Sequence, residues 1–118
     1  MTKLLYVDDN ATDHLAAQEA FADSGLELCC AASAQAALDE LARTPYAAVV
    51  CDLMMPGDDG LVFAQEMLQR GQRTPLVFTS GAAILHSFQG YQGLPHYRGF
   101  VLKPLTPAKI RPLLPPCA

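Results

Sequence analysis

Five short apolar runs, separated by segments of helical spacing, constrain this chain more tightly than any other feature of its sequence. The first run is residues 3–7, KLLYV. Residues 11–22 follow, with Ala11, Leu15 and the pair Ala20/Phe21 at roughly helical intervals before Ser24-Gly25 closes the segment. The second run is residues 26–31, after which Ser33 stands at the N-cap position of a helix with Ala34, Ala37, Leu38, Leu41 and Ala42 on one face. Pro45 interrupts, and residues 47–51 form a third run that ends at Asp52. Leu61, Ala64, Met67 and Leu68 then mark a helix that stops at Gly71. Residues 76–79 and 100–102 are the fourth and fifth runs. Strands alternating with helices at this spacing predict βαβ units, and hence a mainly parallel sheet with helices on both faces and right-handed crossovers.

A chain of 118 residues, 51% of them hydrophobic, supports one core, so residues 1–118 are expected to form one domain. Its proline-crowded tail, 112–118, reads as a linker or a frayed terminus. Two helices are expected to be short or irregular. The fourth, at 82–99, has its second half broken by Gly90, Gly93 and Pro95, leaving about two turns at 83–88. The last begins well at Thr106-Pro107 but is cut by Pro112. Twelve acidic residues against eight basic ones, a net charge of −4, argue against a nucleic-acid or anionic-membrane footprint. No apolar run approaches the roughly 20 residues of a membrane span, and no secretory leader is visible, so a cytoplasmic location is expected. Cys29, Cys30, Cys51 and Cys117 lack disulfide or metal-site spacing and read as buried thiols.

In an open parallel sheet, ligands bind outside the carboxyl ends of the strands. The unusual polar residues of this chain gather there: Asp8 and Asp9 follow the first run, Asp52 the third and Lys103 the fifth, while Thr79 closes the fourth. Two carboxylates 4 Å apart repel by about 4 kcal/mol at an effective dielectric of 20, so such a cluster needs a proton or a cation. Mg²⁺ suits an all-oxygen site of this kind. Helix capping accounts for one of the paired aspartates but poorly for both. With a cation bound, Asp52 becomes a nucleophile toward phosphorus, Lys103 a counter-charge and Thr79 a hydrogen-bond donor, and the product is an acyl phosphate. Taken singly, Lys103 reads as a solvated lysine and Thr79 as a strand-end residue; together they read as one site.

From end to end the chain resembles a response-regulator receiver domain of two-component signalling, of the chemotaxis-receiver type. The segment DLMMPGDDG, Asp52 to Gly60, matches the phosphoacceptor aspartate followed by Met-Pro and then Gly. Asp8-Asp9 matches the acidic pair, Thr79 the hydroxyl position, Phe100 the aromatic switch position and Lys103-Pro104 the lysine-proline pair. The resemblance implies a flavodoxin-like doubly wound (βα)5 fold with strand order 2-1-3-4-5. It implies phosphorylation of Asp52 from a sensor histidine kinase or histidine phosphotransfer protein, and metal binding by Asp9, Asp52 and the Met54 carbonyl, with Asp8 acting mainly through water. Mg²⁺ is the implied ion and Mn²⁺ its alternative. It further implies a cis bond before Pro104, a switch in which Thr79 moves and Phe100 turns inward, and weak dimerisation on phosphorylation. Such a domain is a signalling module rather than an enzyme, although it catalyses its own phosphorylation and dephosphorylation.

The weak fourth and fifth helices lie on the face that receivers use for output, so partner recognition is expected on the first helix and the loop after the fifth strand, around Asp13, His14, Leu15, Leu105 and Pro107. His14 by itself reads as an exposed helix residue, and His86 and His96 lack metal-ligand company. Met54 and Gly81, two positions past Asp52 and Thr79, offer no side-chain hydrogen bond to an attacking water, and slow self-dephosphorylation is expected. Among rivals, a haloacid-dehalogenase-type phosphatase needs a second acid two positions after its nucleophile, where this chain has Asn10 or Ala11. A flavodoxin needs a phosphate loop where this chain reads DDNATDH. The nearest alternative is a pseudo-receiver, an interaction module that is never phosphorylated.

Overall fold

A computed structural model describes residues 2–55, 58–81 and 93–115. Its elements in chain order are β1 (Thr2–Val7), α1 (Ala11–Phe21), β2 (Leu26–Ala31), α2 (Ala34–Arg43), β3 (Ala48–Asp52), β4 (Met54–Met55), β5 (Asp58–Asp59), α3 (Gly60–Gln69), β6 (Leu76–Ser80), β7 (Tyr97–Leu102) and α4 (Pro107–Ile110). A 3₁₀ turn, Arg111–Leu113, follows α4 and takes in Pro112. Among these, β2-β1-β3-β6-β7 form a five-stranded sheet, parallel throughout. Counting only these long strands, the order is 2-1-3-4-5, as expected. The expected fourth helix at 83–88, with His86, lies outside the described residues, as does Cys117.

The helix ends follow their local chemistry. Asn10 and Ser33 cap α1 and α2, their side chains accepting from the N–H groups of Asp13 and Ala36. Thr106 caps α4 in the same way, with Pro107 in its first turn. Beyond α3, Gly71 takes a φ of +77°, and the Gln72 N–H reaches back to the Met67 carbonyl at 2.8 Å, a closure that favours glycine.

Two apolar clusters fill the two faces of the sheet. Leu5, Val7, Val49, Cys51, Leu76 and Phe78 pack with Leu38, Leu41, Phe63 and Met67 of α2 and α3. On the other face Leu4, Tyr6, Ala48, Val50 and Val77 pack with Ala17 and Phe21 of α1 and Ile110 of α4. The central strands β1 and β3 are buried on both faces, which explains their unbroken apolar reading. β2 lies at the edge, so Cys29 and Cys30 are half-buried rather than buried as expected; Cys51, in β3, is buried.

α1 uses a different face from the one its spacing suggested. Ala17 and Phe21 point inward, while Leu15 is 62% exposed and Ala11 and Ala20 are exposed. His14, expected to be exposed, is half-buried with its ring edge-on to Tyr6, centroids 5.6 Å apart.

Candidate functional site

Side chains alternate between the faces of a strand, and this alternation selects the site. Tyr6 faces the α1 side of the sheet, and two residues later stands Asp8. On the same face Val50 leads to Asp52, Val77 to Thr79 and Val101 to Lys103. The ladders extend far enough to hold these positions: the Asp8 N–H donates to the Ala31 carbonyl at 3.0 Å and the Lys103 N–H to the Ser80 carbonyl at 2.9 Å. Asp52 and Thr79 are register partners, and Leu53 donates to the Thr79 carbonyl at 3.0 Å.

The convergence is tight. Asp8, Asp9 and Asp52 each offer a carboxylate oxygen within 4.8 Å of the others, the first and last buried and Asp9 exposed. This all-oxygen donor set fits a hard divalent cation such as Mg²⁺. The Lys103 ammonium lies 2.7 Å from Asp8, 2.6 Å from Asp13 and 3.1 Å from Asp52. Asp8 also accepts from the Tyr6 hydroxyl at 2.5 Å and the Asn10 N–H at 2.9 Å. Burial pulls the Asp8 pKa upward, but the hydrogen bonds from Lys103, Tyr6 and Asn10 outweigh it and hold the carboxyl below its ordinary range. For Lys103, burial favours the neutral amine, and the bonds to Asp13, Asp8 and Asp52 overcome it and raise the pKa. The Tyr6 hydroxyl is raised by burial and by its bond to Asp8, so it stays a donor.

Thr79 differs from its neighbours. Its hydroxyl is fully buried and has no hydrogen-bond partner among the described residues, a state that costs about 1–3 kcal/mol. At the same strand ends a cleft of about 330 Å³ is lined by Asp9, Asn10, Asp13, Asp52, Ser80, Gly81 and Lys103.

The remaining expected residues fall around this centre. Met54 lies in β4, paired antiparallel with β5 in a hairpin next to Asp52. Gly60 opens α3 where a Cβ would meet Leu53 Cδ2 at 3.0 Å and Phe78 Cε1 at 3.1 Å, so a larger residue there makes those side chains shift by a few tenths of an ångström. Phe100 sits on the opposite face of β7, beside Phe78 in register and against the α2/α3 cluster. The Lys103–Pro104 peptide bond is cis. The Lys109 ammonium donates to the carbonyls of Leu102 at 3.1 Å and Pro104 at 2.9 Å, on either side of Lys103. Of the residues expected to meet a partner, Leu15 is exposed, Asp13 turns inward, and Leu105, 3% exposed, belongs to the core. Asp13 was not foreseen as part of this centre; its one signal was its place three residues after the capping Asn10.

The sequence matches the response regulator receiver domain over residues 4–114. The chain belongs to that family. The receiver domain is 30% identical over 112 residues to the sensory/regulatory protein RpfC of Xanthomonas campestris pv. campestris, covering 92% of this chain and 15% of that protein. It is 33% identical over 116 residues to the transcriptional regulatory protein TctD of Salmonella typhimurium, covering 95% of this chain and 51% of that protein. It thus spans about half or less of these relatives. Among solved structures, the chemotaxis response regulator CheY4 of Vibrio cholerae matches it with a TM-score of 0.84 at 22% identity, covering 97% of this chain and 99% of that one. Response regulator TrrA of Thermotoga maritima, solved in complex with Mg²⁺ and BeF, matches with a TM-score of 0.78 at 23% identity, covering 97% and 100%. These likenesses show the fold of the receiver domain. Among its described residues no helix is long and apolar enough to cross a membrane.

Proposed function

We propose that this receiver domain, in the cytoplasm, takes a phosphoryl group onto Asp52 from a phosphohistidine of a sensor histidine kinase or histidine phosphotransfer protein. Asp8, Asp9, Asp52 and the Met54 carbonyl would hold Mg²⁺, or Mn²⁺ in its place, with Asp8 acting mainly through water; the ion supplies positive charge against the phosphoryl oxygens. An Asp52 carboxylate oxygen attacks phosphorus; the new O–P bond forms as the P–N bond to the donor imidazole breaks, and the imidazole nitrogen keeps the electron pair and takes a proton from solvent. Lys103 offsets negative charge on the transferring group, and Thr79 donates its hydroxyl to a phosphoryl oxygen. Movement of Thr79 then favours a state in which Phe100 turns inward, a shift between two arrangements biased by contacts made in only one of them.

The observation that carries this reading is the buried Thr79 hydroxyl, without a partner among the described residues and in register beside Asp52. A site serving only to hold the fold has no use for a donor left unsatisfied next to a carboxylate cluster. Titration with beryllofluoride at saturating Mg²⁺, followed by calorimetry and amide chemical shifts, tests it. Saturable binding is expected, with the largest shifts at Thr79, Phe100 and Lys103. Asp52→Asn is expected to abolish binding and Thr79→Val to weaken it. Wild-type protein that binds nothing under these conditions is an interaction module instead.

A further inference from the structure

Asp13 is the third residue of α1, a position from which an acidic side chain ordinarily bends back to the N–H of the capping residue. Here the Asn10 N–H donates to Asp8 at 2.9 Å, so that local bond is already taken. The Asp13 carboxylate turns instead to Lys103 at 2.6 Å, the shortest of the three carboxylate contacts to that ammonium. The ammonium hydrogen-bonds Asp13 and Asp52 and pairs with Asp8, so three carboxylates already surround it. A phosphoryl oxygen that approaches Lys103 competes with these three carboxylates for its charge. Asp8 is fully buried and held by Tyr6 and Asn10, and Asp52 is the acceptor itself. The Asp13 side chain is 33% exposed, so water can replace Lys103 there at the least cost.

We propose that Asp13 is a positioning residue that competes with the phosphoryl group for Lys103. In the unphosphorylated domain it shares the ammonium with Asp8 and Asp52, which leaves those carboxylates more available to a cation than if they held Lys103 between themselves. On phosphorylation it must give Lys103 up. The assignment rests on Asp52 being the phosphoacceptor.

The test measures two affinities, for Mg²⁺ alone and for beryllofluoride at saturating Mg²⁺, in wild type, Asp13→Asn, Lys103→Met and the double variant. Asp13→Asn is expected to bind Mg²⁺ about 3- to 10-fold more weakly, because Lys103 then leans on the metal-binding carboxylates, and beryllofluoride about 3- to 10-fold more tightly. A folding defect would weaken both, and Asp13→Ser is expected to repeat the opposed pattern. In the Lys103→Met background the gain in beryllofluoride affinity is expected to vanish. Changes of the same sign in Asp13→Asn, or a gain that persists without Lys103, overturn the assignment while leaving the receiver reading intact. Wild-type protein that ignores beryllofluoride overturns both.

Discussion

The two faces of the sheet are built from the same strands and end differently. On the α2/α3 face Cys51 is followed by Leu53 and Phe78 stands beside Phe100, and only Val7 and Phe78 run on into polar residues, the exposed Asp9 and the buried Ser80. On the α1/α4 face each apolar series runs out into a polar group: Tyr6 into Asp8, Val50 into Asp52, Val77 into Thr79, Val101 into Lys103. Both faces hold the fold with an apolar cluster, and the rim of the α1/α4 face gathers most of the site's polar groups, Asp8, Asp52, Thr79 and Lys103. The lesson is that a period of two distributes structure and chemistry over a single set of strands, without a separate element for either.

The comparison can be broken by substitutions on either side. Asp52→Asn is expected to remove phosphorylation completely and still raise cation-free stability by about 1 kcal/mol, because it relieves repulsion from Asp8 and Asp9; urea unfolding with and without Mg²⁺ measures this. Phe63→Ala, on the apolar face, is expected to cost about 3–5 kcal/mol through the cavity it leaves. On the same face, at the start of α3, alanine at Gly60 presses on Leu53 and Phe78 and is expected to cost about 1–3 kcal/mol.

A smaller effect concerns His96, 2% exposed at the start of β7 and at the opposite end of the sheet from the acids. Burial lowers its pKa below the ordinary 6.5. The unfolded chain thus binds the proton more readily, so stability is full above 6.5 and falls as pH drops below it, by up to about 1.4 kcal/mol per pH unit until the folded pKa is reached. His96→Gln is expected to flatten that slope in unfolding curves collected from pH 7 down to about 5. Smallest of all, Leu15→Ser on the exposed side of α1 is expected to change stability by less than about 0.5 kcal/mol.

Strand-helix alternation was legible because β1, β2, β3 and β6 each carry a short, mostly apolar run. β7 read short, because Arg98 and Gly99 break its pattern where the structure places a bulge between Leu76 and Val77. The β4–β5 hairpin was invisible, since two-residue strands carry no periodicity. The contrast between α1 and α2 is more telling. In α2, Leu38 and Leu41 fixed the inner face correctly, whereas in α1 the one leucine points outward and the inner face is carried by Ala17, Phe21 and the half-buried His14. Hydrophobicity locates a face when large side chains line it, and fails when a helix packs close on small ones. The acids and Lys103 were legible because strand ends converge by topology. Asp13 was not, because its inward turn depends on the Asn10 N–H being spent on Asp8, a contact between residues that sequence spacing does not single out.

The central claim is that crowded carboxylates at the strand ends ready Asp52 for phosphoryl transfer once a divalent cation offsets their charge. Intact-mass and peptide mass spectrometry after incubation with acetyl phosphate tests it most directly. The account expects one phosphoryl group per chain, located at Asp52, formed with Mg²⁺ and absent when the metal is chelated. An unchanged mass at saturating Mg²⁺, or a phosphoryl group on any other residue, would contradict it.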